Sequence, residues 1–227
     1  MVRTVTLYVC ALFYAVMPAY AAAHVARPGP AAVLTIKVVD NTGAPAYVLQ
    51  RAADIAQRVF RAAGIKTAWV VCANFDETAE PSQNPACYEN PADLYVQSVT
   101  SRPNNLVPLW DSFKFGAALF TDDGLPGRHS YVLYDRVEKE AETAPCSRIA
   151  LLGLIMAHEV GHLLLGKGHA NEGVMMPRWN HETEAKIARG VLLFLPEEAK
   201  RMQASARVVI NDRAVYAFAA TRSVVQF

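Results

Sequence analysis

Ala157-His158-Glu159-Val160-Gly161-His162-Leu163-Leu164-Leu165-Gly166-Lys167-Gly168-His169 is the stretch from which the rest of this chain can be read, and Gly173-Val174-Met175-Met176-Pro177-Arg178-Trp179 follows it closely. From Ile149 to Leu165 the residues are almost all apolar, and Gly166 ends the run, so the segment reads as a buried helix with a glycine stop. On a helix, positions i and i+4 lie one turn apart on the same face, so His158 and His162 can offer their imidazoles to one ion. Glu159 then projects beside the ion, where a carboxylate can take a proton from a water polarised by the metal. A helix apolar nearly all round is normally buried, and buried imidazoles and carboxylates are costly unless something satisfies them. A zinc ion (Zn2+) would satisfy them.

His158-Glu159-x-x-His162, then a glycine, then His169, then Met175 after a glycine resembles the metzincin clan of zinc metallopeptidases. The spacing departs from the clan's usual pattern, which places the glycine three residues and the third histidine six residues after the second histidine. Here Gly166 and His169 each come one residue later. One extra helical residue rotates the exit of the chain by about 100° and advances it by about 1.5 Å. Gly166-Lys167-Gly168 can absorb this, because glycine allows the left-handed turn that ends a helix. His169 is therefore the expected third ligand. Glu182 is the rival, at a separation from His162 similar to that of the ligating glutamate in thermolysin-like zinc peptidases. Against Glu182, no helix signal is evident between Pro177 and Asn180; Glu172, three residues past His169, is also available. The resemblance makes Met175 the apolar floor of a methionine turn and places Pro177-Arg178-Trp179 beside the substrate pocket.

The chain has 227 residues, a formal net charge of +1 and 52% hydrophobic residues, which fits one compact domain with a small appendage. No basic patch or charge block is present, so nucleic acid is not an expected partner. Residues 1–23 read as a secretory signal, with Arg3 ahead of an apolar core from Val5 to Val16 and a small-x-small site at Ala19-Tyr20-Ala21. That core is short for a membrane span and lacks a basic stop-transfer flank, so no span is expected after cleavage. The first strand follows too closely to leave room for an inhibitory propeptide. A secreted or periplasmic monomer acting on peptides or proteins is the resulting expectation. Loss of Cys10 with the signal leaves Cys72, Cys87 and Cys146, and in an oxidising compartment one pair should form. Cys72 with Cys87 is favoured because the pair closes the polar loop between them, leaving Cys146 free or buried at the entrance to the zinc helix.

The elements expected in order are a strand over 33–40, a helix over 46–63 and a strand over 66–72. Further strands are expected over 93–100, 116–121 and 130–137, followed by the zinc helix. Asp122-Asp123-Gly124 reads as a turn, not a calcium site, and His129 as a surface loop residue. The fold class is α+β. The metzincin resemblance implies a twisted, mostly parallel five-stranded sheet with a backing helix and an active-site helix in residues 24–166. A small C-terminal helical subdomain follows in 167–227. Within it, Pro196-Glu197-Glu198 starts a helix to about Ala206, and Val208 to Phe227 is weakly strand-like.

Two functions from different classes follow. One is a zinc endopeptidase in which Glu159 acts as general base and a substrate lies along the strand near Ala117 to Thr121; no tyrosine follows Met175 before Tyr216, so the donor to the oxyanion is unassigned. The other is a non-catalytic zinc-binding protein that keeps the fold. A purely structural site would more often fill the fourth position with protein and leave a base without a task, which favours the enzyme.

Overall fold

Alternating burial along the first strand sets the core. In the computed structural model Leu34, Ile36 and Val38 are buried with the apolar faces of two helices, whereas Thr35 and Lys37 point to the other side of the sheet. The structure describes residues 33–73, 85–88, 90, 93–100 and 115–223, with side chains as far as residue 211. The expected signal (1–23), most of the loop between Cys72 and Cys87, and the stretch 101–114 lie outside the described residues.

The elements are β1 (Leu34–Asp40), α1 (Ala46–Ala62), β2 (Thr67–Cys72), β3 (Leu94–Val99), β4 (Gly116–Phe120), β5 (Pro126–Leu133), α2 (Tyr134–Ala141), α3 (Arg148–Leu165), α4 (His181–Ala188) and α5 (Pro196–Ser223). The sheet order is β2-β1-β3-β5-β4. All neighbours are parallel except β4, which runs antiparallel to β5 with a register shift between Ala118 and Phe120. The architecture is α+β, with a mixed five-stranded sheet in the mostly parallel arrangement expected.

α1 and α3 pack against each other over the sheet. Their approach is set by Gly153 of α3, where an added Cβ would lie 2.6 Å from the Ala52 carbonyl oxygen and 2.8 Å from the Ile55 Cβ. α3 is long and apolar enough by length and composition to cross a membrane, yet 72% of it is buried inside the fold. It is a core helix. Ser147 caps it by accepting the Ala150 N–H at 3.2 Å. At the start of α5 the Glu198 carboxylate accepts the Leu195 N–H at 2.8 Å, which is half of a capping box. Gln203 of α5 donates to Ala63 O at 2.8 Å and ties the C-terminal helix to the end of α1.

On the opposite face of the sheet Lys37 is buried with Asp93 at 3.0 Å and also donates to Tyr88 O. A buried charge pair is tolerable only with such additional bonds. The Cys72–Cys87 disulfide forms as expected, with the two Cα atoms 5.7 Å apart. Cys146 is free and buried just before the cap of α3.

Three readings need correction, and one helix was not anticipated. The fifth strand ends at Leu133, not Val137. Residues 134–141 form α2, whose buried Tyr134 and Val137 at i and i+3 extend an apolar run that looks continuous in sequence. His129 lies on β5 with its ring stacked 4.7 Å from that of Tyr95, so it is not a loop residue. α4 follows directly after Asn180, whose side chain caps it by accepting the Thr183 N–H at 2.9 Å. α5 continues to Ser223 where a strand-like tail was expected. The β-branched Val208, Val209 and Ile210 lower helix propensity only slightly, and no glycine or proline follows Pro196 in that helix.

Gly153→Ala tests the helix contact. In an exposed helix this change adds up to about 1 kcal/mol of stability. Here the overlap with Ala52 and Ile55 should outweigh that gain and leave the variant about 1–2 kcal/mol less stable, read as a lower urea midpoint at unchanged slope.

Candidate metal centre

α3 places His158 and His162 one turn apart on the side of the helix facing β4 and the turn after Gly173. Each imidazole is oriented by a backbone carbonyl. His158 Nδ1–H donates to Val174 O at 2.7 Å and His162 Nδ1–H donates to Gly166 O at 3.2 Å. With both Nδ1 atoms committed as donors, both Nε2 atoms carry lone pairs, and these stand 3.1 Å apart. Two lone pairs aimed at one point repel unless a cation or a proton sits between them. Burial opposes the proton: the pKa of His158 is pushed down to about 3, first by desolvation and then by the neighbouring His162. Desolvation also lowers His162 and His169 from their ordinary values. Neutral imidazoles with carbonyl-anchored Nδ1 atoms are the form in which histidine binds a metal. Two ligands at 2.0–2.1 Å from a tetrahedral ion stand about 3.3 Å from each other, close to the separation found.

His169 completes the group. One ring nitrogen from each of His158, His162 and His169 lies within 4.8 Å of the others. The His169 ring is perpendicular to that of His162 at 4.8 Å and roughly parallel to that of His158 at 5.4 Å. The extra residue in the spacing is absorbed at the two glycines, with φ of 88° at Gly166 and 116° at Gly168, values that side chains rarely adopt. The Ala170 N–H then donates to Met175 O at 2.9 Å, which returns the chain beneath the imidazoles.

Met175 is fully buried against the middle of α3 at Gly161. Its sulfur stands where a side chain on Gly161 would project, 2.5 Å from an ideal Cβ, so the glycine inside the His-Glu-x-x-His pentad is needed for this contact. The turn that carries it is fixed from below by Val174 N–H to Leu193 O at 3.1 Å. Trp179 is buried and stands perpendicular to His158, with ring centroids 5.9 Å apart.

Glu159 is buried beside the cluster, and desolvation pushes its pKa up to about 8. A cation nearby would favour the ionised form. Its carboxyl group rests on the start of β4: an added Cβ at Gly116 would lie 2.8 Å from Glu159 Oε1 and 2.5 Å from Tyr131 O. The three histidines and Glu159 line one cavity of about 310 Å³. β4 forms one wall through Gly116, Ala117, Ala118 and Phe120, and Met176, Pro177, Arg178 and Trp179 form the opposite one.

The structure does not bring the rival carboxylates to this group. Glu182 sits on α4, largely exposed and paired with Lys186 at 2.9 Å. Glu172 is exposed, and neither residue lines the cavity. Sequence reasoning missed the carbonyl of Val174 and the role of Gly116. Gly161, inside the pentad, carried a signal that could have been read, since a glycine in a helix interior is costly without a packing reason.

No protein-family profile and no curated protein sequence matches the chain. Among solved structures, the chain is similar to the crystal structure of archaemetzincin from Methanopyrus kandleri, with 15% identity and a TM-score of 0.46, over 78% of this chain and 97% of that one. At that identity and score the likeness transfers no residue role and no activity.

Metal content tests the ligand set. His158→Ala, His162→Ala and His169→Ala should each weaken zinc binding by about a hundredfold or more in competition with a chromophoric chelator, because each removes one ligand from an open three-ligand site. Glu182→Ala should leave affinity unchanged, and loss of zinc in that variant would overturn the assignment.

Proposed function

We propose that the protein is a zinc-dependent endopeptidase of metzincin type, secreted or periplasmic, with His158, His162 and His169 as metal ligands and Glu159 as general base. The observation that carries this reading is the pair of carbonyl-anchored imidazoles whose free Nε2 atoms face each other at 3.1 Å, with a third imidazole and a buried carboxyl group in the same cavity. Zinc bound there supplies a Lewis acid for a peptide carbonyl and lowers the pKa of a water molecule to about 7.

The residues of the chain do the remaining work. Glu159, held away from bulk solvent between α3 and Gly116, accepts the proton of the attacking water and delivers it to the leaving amine. Its place beside the cluster suits it to this exchange, since burial raises its pKa while a bound cation would favour its ionised form. β4 lies at the end of the described sheet, and no described strand pairs with its outer side. An extended peptide added along that edge would be fixed by backbone hydrogen bonds with its scissile bond beside Gly116 and Glu159. Trp179 packs edge-on against the His158 imidazole, and Met175 packs against α3 at Gly161, within the same pentad.

A three-ligand site with an adjacent buried base favours catalysis over a structural role, in which a fourth protein ligand would close the metal. Glu159→Gln should keep zinc bound at one per chain and lower peptide cleavage by about 10²–10⁴. Removal of zinc by a chelator should abolish cleavage, and added zinc should restore it. One tightly bound zinc with no cleavage of any member of a peptide library by the unaltered protein would replace the enzyme with a non-catalytic zinc-binding protein.

A further inference from the structure

The cavity beside the histidines has an uneven charge pattern that the peptidase reading does not use. Two cationic side chains line it, Lys167 and Arg178, and its single carboxyl group is the buried Glu159. Both cations are exposed, and neither forms an ion pair among the described residues. They enter from different segments. Lys167 sits in the Gly-Lys-Gly spacer between the second and third histidines, and Arg178 in the wall after the methionine turn. Lys167 Nζ is placed over the ring of Phe120, 5.3 Å from its centroid, where β4 ends. An added Cβ on Gly124 would lie 3.8 Å from the same nitrogen, so the ammonium also touches the β4–β5 turn. Neither acid of that turn forms an ion pair with Lys167: the Asp123 carboxylate instead accepts from Thr121 Oγ1 and from the Leu125 N–H at 3.4 Å. Arg178 lies in the chain between Pro177, on the cavity wall, and the buried Trp179.

Between these two cations the walls are apolar. Phe115, Phe120, Ile155, Met176 and Trp179 offer no acceptor that would compete for a guanidinium or an ammonium. Two exposed cations against one buried carboxyl group leave the mouth of the cleft net positive, and a cleft with apolar walls concentrates the opposite charge. A bound divalent metal adds to the same sign.

We propose that the cleft selects peptides carrying aspartate or glutamate close to the scissile bond, with Lys167 and Arg178 reading the acidic side chains. This inference rests on the peptidase reading for the position of the scissile bond, and it concerns binding, which can be measured apart from cleavage. Lys167 and Arg178 are specificity residues and take no part in proton transfer.

The test uses two fluorescein-labelled hexapeptides, Ala-Ala-Glu-Leu-Glu-Ala and its Gln-for-Glu counterpart. Their binding to zinc-loaded Glu159→Ala protein is followed by anisotropy, and their cleavage by the unaltered zinc-loaded protein by chromatography. The Glu peptide should bind about three- to tenfold more tightly than the Gln peptide, the range of two partly screened ion pairs. The preference should shrink between about 50 and 300 mM salt. Lys167→Gln with Arg178→Gln should bring the ratio of the two affinities to about one while the thermal midpoint stays unchanged. Equal affinity for the two peptides, a preference that survives the double replacement, or no binding of either up to about 1 mM would overturn the proposal. Preferential binding without cleavage would uphold the charge-selective cleft and contradict the peptidase. Cleavage of both peptides at equal rates would do the reverse.

Discussion

The whole site depends on two backbone carbonyls. Val174 O and Gly166 O take the Nδ1 protons of His158 and His162, and this alone turns two neutral imidazoles so that their lone pairs meet. Neither carbonyl is free to move. Gly166 is the residue at which α3 stops, so its carbonyl is fixed by the helix end, and Val174 belongs to a turn bonded to Leu193 below and Ala170 above. The C-terminal segment is therefore part of the ligand geometry. In metal sites generally, such outer partners set the tautomer and the orientation of the histidines that bind.

The second constraint is space. α3 carries glycines where other elements must come close, at Gly153 against α1 and at Gly161 against Met175, while Gly116 of β4 makes room for the Glu159 carboxyl group. A buried helix that bears a buried base needs this clearance on several sides. A carboxyl group out of water is costly unless its environment favours it, and here the environment is a potential cation site on one side and the sheet edge on the other. The same edge strand thus supports the Glu159 carboxyl group and, among the described residues, has no strand paired to its outer side.

Much of this was legible in the sequence, and the limits were physical. His158, Glu159 and His162 announce themselves because helical periodicity makes i and i+4 neighbours whatever the tertiary structure. Cys72 with Cys87 could be favoured because the loop between them is polar and local. The strands came out nearly at their bounds where alternation was clean, as in β1 and β3. The reading failed where one apolar run served two elements: Tyr131 to Tyr134 passes from β5 into α2 without a break in hydropathy, so the helix was absorbed into the strand. It missed α4, which begins just past the Pro177 to Asn180 segment that carries no helix signal and whose last residue is the cap. The β-branched residues near Val208 suggested a strand, but a helix already nucleated at Pro196 propagates through them. The placement of His169 could only be argued from the permissiveness of Gly166 and Gly168, since an irregular loop has no period to read. The Val174 carbonyl and the contact of Gly116 with Glu159 are tertiary and leave no trace in local sequence.

The most direct test of the central claim is X-ray absorption at the zinc edge on the purified protein. A site built on three neutral histidines should show zinc with three imidazole nitrogens at about 2.0–2.1 Å and one further light ligand that an added hydroxamate displaces. Absence of zinc, a fourth protein ligand that resists displacement, or a scattering pattern with only two imidazoles would contradict it.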